Sequence, residues 1–169
     1  MIRRTPSRRG FTLIEAAVSC VIVAVMLTAA LSTAAAAKAR QQKAVDRQRA
    51  LFLAQSLMSE ITDKLYVDPG LLPLFGPELA EAGQPRSVYN DVDDYDGLNE
   101  SPPKYADGTP ISGYSRWSRS VTVQWVQPNN TASASLLDTG VKLITVTVKK
   151  NGVPQMVLKA LRSQARDSL

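Results

Sequence analysis

Two groups of carboxylates stand where their spacing could support chemistry. The first is one residue. Glu15 lies inside an otherwise apolar stretch, FTLIEAAVSCVIVAVMLTAAL. A lone ionised side chain near hydrocarbon costs ~2.5–3.5 kcal/mol on insertion scales, so the position asks for a cationic partner. The second group is Asp91-Val-Asp-Asp-Tyr-Asp-Gly97. Asp91, Asp93, Asp94 and Asp96 form a candidate ligand set for calcium, an ion held by oxygen atoms. The run departs from the EF-hand register, because Tyr95 falls at the fifth position and Pro102 at the twelfth. A solvated acidic turn is the plain alternative, and it leaves the chain without a metal or other cofactor. Histidine is absent. That excludes a histidine general base, a Ser-His-Asp triad and a His-ligated zinc site. Cys20 is the single cysteine, so no intramolecular disulfide can form.

The elements that position these groups can be read from where helix breakers fall. Residues 11–68 contain neither glycine nor proline, which predicts one continuous helix from Thr12 to about Tyr66. Within it Ala16–Ala37 carries no charge and is long enough to cross a bilayer core. Beyond Lys38 the helix becomes amphipathic. Ala44, Leu51, Met58 and Leu65 recur every seventh residue, and Leu53, Ala54, Leu57 and Ile61 widen the stripe. Residues 67–113 are rich in proline, glycine and acid and read as an irregular connection. Residues 114–169 read as strands. Val121, Val123 and Trp125 alternate with Thr122 and Gln124, and Ile144, Val146 and Val148 alternate with Thr145 and Thr147. Asn151-Gly152 is a hairpin signal, with residues 153–163 as the returning strand. The expected fold is α+β: a long N-terminal helix packed on an antiparallel sheet of three or more strands. Trp117, Trp125 and Tyr114 are expected in its core. The basic residues Arg116, Arg119, Lys142, Lys149, Lys150, Lys159, Arg162 and Arg166 are expected on the solvated face of the sheet.

In front of the apolar stretch, residues 1–10 carry Arg3, Arg4, Arg8 and Arg9. The positive-inside rule then keeps the start of the chain cytoplasmic and exports the residues beyond Ala37. The segment RRGFTLIEAAV resembles the start of type IV pilins and type II secretion pseudopilins: a basic leader ending in glycine, then phenylalanine, apolar residues, and glutamate at the fifth mature position. Gly10, Phe11, Thr12, Leu13, Ile14 and Glu15 match that pattern in order. The resemblance implies a pilin-like fold and cleavage by a prepilin peptidase between Gly10 and Phe11. It also implies N-methylation of Phe11, and pairing of Glu15 with the N-terminal amine of a neighbouring subunit. Implied partners are that peptidase, other pilin or pseudopilin subunits, the inner-membrane assembly platform and the membrane itself. The chain would be a single-pass inner-membrane protein with a periplasmic C-terminal domain, which then enters a pilus or pseudopilus.

No helix-bending glycine or proline interrupts residues 11–68, and no disulfide can close the C-terminal region. Many major pilins of the family the chain resembles have both such a bend and such a disulfide, so their lack implies a minor subunit. SRSVTVQWV with DTGVKLITVTVKKNG resembles minor subunits of the I/V type and of mannose-sensitive haemagglutinin-type pili. Two other readings stand beside this one. Ala34–Ala37 before Lys38 offers a secretory cleavage site; and an uncleaved signal anchor could display a monomeric envelope binding domain. The expected division is a leader at 1–10, a membrane and assembly helix at 11–37, an exported helical half at 38–66, the acidic connection at 67–113, and the sheet at 114–169. No catalysis of its own is expected. Nor is nucleic-acid binding: four of the 20 basic residues lie in the leader, which leaves 16 against 15 acidic residues, a net charge of +1.

Overall fold

The computed structural model describes residues 10–68, 70 and 75–167. The arginines ahead of Gly10 lie outside these residues, as does the leader reading built on them. The chain has a pilin-like α+β architecture, one long helix packed on a five-stranded antiparallel sheet. It divides into two units, residues 1–44 and 45–169, with the boundary inside the helix.

The helix α1 runs Leu13–Thr62, 50 residues. Its start is fixed by Thr12, whose Oγ1 accepts the backbone N–H of Glu15 at 3.3 Å. That satisfies one of the donors a helix start leaves bare. In the first unit every described residue is exposed. An 18-residue window there is apolar enough to cross a membrane, and none of it is buried.

The second unit holds the core. Ala50, Leu53, Ala54, Leu57, Met58 and Ile61 of α1 are buried at i, i+3 and i+4 spacing. The sevenfold stripe is therefore corrected. Ala44 is exposed, Leu51 sits at the margin and Leu65 lies beyond the helix and is exposed. A strict seven-residue repeat drifts ~20° per heptad around a straight helix, and the sheet takes the 3.6-residue face instead. The helix also ends earlier than its lack of breakers suggests. The Leu65 N–H donates to the Asn90 carbonyl and the Leu65 carbonyl accepts from Val92 N–H, at 3.3 and 3.0 Å. Those backbone groups are thereby withdrawn from another helical turn.

The sheet comprises β1 (Asn99–Glu100), β2 (Trp117–Gln127), β3 (Asn130–Ala134), β4 (Val141–Lys150) and β5 (Val153–Ser163). The order is β1-β2-β4-β5, with β3 paired to β2. Inward rows run across it: Val121, Val146 and Leu158 in one, Val123, Ile144 and Ala160 in the next. Asn151 and Gly152 turn β4 into β5 with φ of 50° and 78°, the left-handed pair that a tight hairpin requires. Trp117 joins the core, with Tyr114 packed partly against it. Trp125 instead lies at the core's edge, half-buried, with its ring centroid 4.6 Å from that of Phe75.

Residues 75–113 have little regular structure, with short 3-10 turns at Arg86–Val88 and Asp93–Tyr95. They are nonetheless part of the core. Val92 and Tyr95 are fully buried, and Tyr95 donates from its hydroxyl to Glu60 of α1 at 3.0 Å.

Candidate assembly site and acidic turn

At the N-terminal end, the three residues singled out from the sequence sit at or before the first helical turn. Gly10 is exposed, and a Cβ placed on it would meet nothing within 4 Å. Phe11 is exposed and precedes α1. Glu15 lies in the first turn, where a carboxylate is favoured by the unpaired N–H groups and the positive end of the helix dipole. Thr12-Leu-Ile-Glu15 has the spacing of a helix-capping sequence, a signal present in the residues that a reading for processing alone passes over. Among the described residues nothing pairs with the Glu15 carboxylate. From Phe11 through Leu31 the large apolar side chains are bare, Leu13 at 93% exposure and Phe11 at 78%. A surface of this kind needs lipid or protein against it.

The acidic run is buried rather than solvated: Asp91, Asp93 and Asp94 are each at most 2% exposed. Asp91 Oδ1 accepts the backbone N–H groups of Asp93 and Asp94, at 2.9 and 3.2 Å. Asp94 Oδ2 accepts those of Asn90 and Asp91, at 2.9 and 3.0 Å. The two side chains thus hold one tight turn by reciprocal bonds. Asp93 pairs with Lys142 and accepts Gly76 N–H at 3.2 Å. Asp96 Oδ1 accepts Val123 N–H at 2.8 Å, tying the turn to β2. Among the described residues the carboxylates that converge are Asp94, Glu78 and Glu81, and the two glutamates were not in the candidate set read from the sequence. Burial, then the charges of Asp93 and Asp94, push Asp91 up to about 8. Burial, then contact with Asp94 and Glu78, push Glu81 up to about 7.

The basic residues of the sheet correct another expectation. Arg119, Lys142 and Arg162 are buried. Arg119 pairs with Glu100, Lys142 with Asp93 and Arg162 with Asp167. The cause is strand phase. Arg119 is two residues from Val121, Lys142 two from Ile144, and Arg162 two from Ala160, so period-two alternation turns all three inward. Lys150 is partly buried and pairs with Asp46 of α1 at 2.6 Å. Arg116 and Lys159 do face solvent. Buried cations without carboxylates would be untenable, and the acidic connection supplies two of those partners, Glu100 and Asp93.

No curated protein and no solved structure matches the chain. Residues 5–31 match the family model described as the prokaryotic N-terminal methylation motif, which supports a membrane-anchored prepilin of the type IV pilin and pseudopilin kind, a structural rather than catalytic group.

Proposed function

We propose that this chain is a minor structural subunit of a type II secretion pseudopilus or a type IV pilus. A prepilin peptidase cuts between Gly10 and Phe11 and methylates the new amine of Phe11. The observation that carries this reading is the methylation-motif match over residues 5–31, which runs into a helix whose apolar side chains are bare. Such a helix can be stored in lipid and later covered by the same helix of neighbouring subunits. In that packed, low-dielectric setting the Glu15 carboxylate pairs with the amine of a neighbour, and the pair fixes the axial stagger. Part of that attraction only offsets desolvation of the two charges. The breaker-free helix and the single cysteine support a minor subunit over a major one.

Mass spectrometry of the mature protein tests the proposal. A chain beginning at N-methylated Phe11 is the expected result. An intact Met1 would favour a monomeric anchored domain, and a start at Lys38 an ordinary secretory signal. Either would overturn the assembly reading.

A further inference from the structure

Glu78, Glu81 and Asp94 each offer one carboxylate oxygen to a common point, and the three atoms lie within 4.8 Å of one another. We infer that a divalent cation of the hard, oxygen-seeking type, Ca2+ by its chemistry, binds between these three residues.

The backbone prepares the arrangement. Glu81 N–H and Ala82 N–H both donate to the Glu78 carbonyl at 2.9 Å, forming a turn that brings the two glutamates to one side. Across from them Asp94 is held through Oδ2 alone, by two backbone N–H groups, and its other oxygen is left over. The second, independent observation is the state of the oxygens. Both oxygens of Glu78, Oε2 of Glu81 and Oδ1 of Asp94 are shielded from solvent and accept no hydrogen bond. Glu81 is 6% exposed and Asp94 1%. A buried oxyanion without a donor is among the least favourable groups a fold can hold.

Neighbouring protein cations are committed elsewhere. Arg86 binds Glu60, Glu100 and the Lys104 carbonyl, Lys142 binds Asp93 and the Tyr66 carbonyl, and Lys64 donates to the Tyr89 carbonyl. Two shared protons can join these four oxygens in pairs, so the cation competes with protons and is favoured as the pH rises. A cation that accepts six to eight oxygens takes all four together. The donor set selects its type. It contains carboxylate oxygen only, with no imidazole or thiolate to favour zinc or copper. Oxygens up to 4.8 Å apart also suit the ~2.3–2.6 Å bonds of Ca2+ better than the tight octahedron of Mg2+. Bound there, the ion pins the Glu78–Gln84 turn to the turn held by Asp91 and Asp94, and so orders the irregular connection.

Calorimetric titration of CaCl2 into the full-length chain in detergent, after removal of divalent ions with EGTA, tests the site. Binding of one Ca2+ per chain is expected, at least tenfold tighter than Mg2+, with a rise in Tm. Glu78→Gln combined with Glu81→Gln should weaken Ca2+ at least tenfold while the far-ultraviolet circular dichroism stays that of the parent. Glu78→Gln alone, at the half-buried position, serves if the double variant does not fold. Absence of both heat and Tm shift in the folded parent overturns the inference. So does parental Ca2+ affinity in the glutamine variants, or binding abolished by Asp93→Asn with Asp96→Asn but not by the glutamine changes.

Discussion

Arg119 Nε lies 2.6 Å from Glu100 Oε2, with both side chains buried. The other Glu100 oxygen accepts Arg86 Nε at 3.0 Å, so a single carboxylate is shared by two guanidinium groups. Arg86 continues to Glu60 of α1 at 2.5 Å. Helix, connection and sheet therefore meet at one charged junction. Removing one partner of a buried pair costs more than the pair itself contributes, because the remaining charge stays desolvated. Glu100→Ala should lower unfolding free energy by ~3–5 kcal/mol, read by urea denaturation of the detergent-solubilised chain. A loss under ~1 kcal/mol would mean that water reaches the site and screens it.

The acidic turn should make stability depend on pH. Asp91 titrates at about 8 in the fold against an ordinary 3.8, and Glu81 at about 7 against 4.5. A group whose folded pKa is raised binds more protons folded than unfolded, so stability falls as pH rises. The effect begins above the ordinary carboxylate values and is complete just past the folded ones. In buffer free of divalent ions the urea midpoint should decline from about pH 5 to about pH 8.5. Asp91→Asn keeps Oδ1 as acceptor, removes that titrating charge and should make the decline shallower, leaving the share due to Glu81. An unchanged slope in the variant would remove Asp91 as its source.

The helix face offers a paired comparison. Leu57 is fully buried, whereas Leu51, six residues earlier, is 36% exposed. Leu57→Ala should cost ~2–5 kcal/mol by transfer and cavity formation. Leu51→Ala should cost about 1 kcal/mol or less. Equal losses in denaturation would restore the sevenfold stripe as the buried face.

Glu15→Ala should leave membrane insertion intact, since it removes a charge from an apolar helix. Filament incorporation should fall tenfold or more, the factor that ~1.4 kcal/mol represents. Comparing membrane-bound and sheared-filament fractions measures both. Assembly at the parental level would contradict the pairing proposed for Glu15.

Much of this fold is legible from period and punctuation alone. The breaker-free run marks α1, and the hairpin at Asn151-Gly152 places the turn between β4 and β5 and the bounds of β5. What escapes is structure without a local signal. β3 is Asn130-Thr-Ala-Ser-Ala134, exposed throughout, so no apolar alternation marks it. Arg119, Lys142 and Arg162 are in phase with the core, but their charge argues for solvent, and only tertiary partners reverse that judgement. Glu78 and Glu81 are hidden for a related reason. Their relation to Asp94 is made by folding the connection, not by spacing along the chain. The N-terminal residues are readable because Gly10, Phe11 and Glu15 form a contiguous pattern, which needs no fold to be recognised.

The boundary at residue 44 has a thermodynamic meaning. The buried residues of α1 begin at Asp46, and none is contributed by the stretch before it. Substitutions in residues 13–44 and in the packing of the rest should therefore act nearly additively on stability. A substitution on the exposed surface of residues 13–44 should leave the unfolding free energy of the sheet-bearing unit unchanged within about 0.5 kcal/mol.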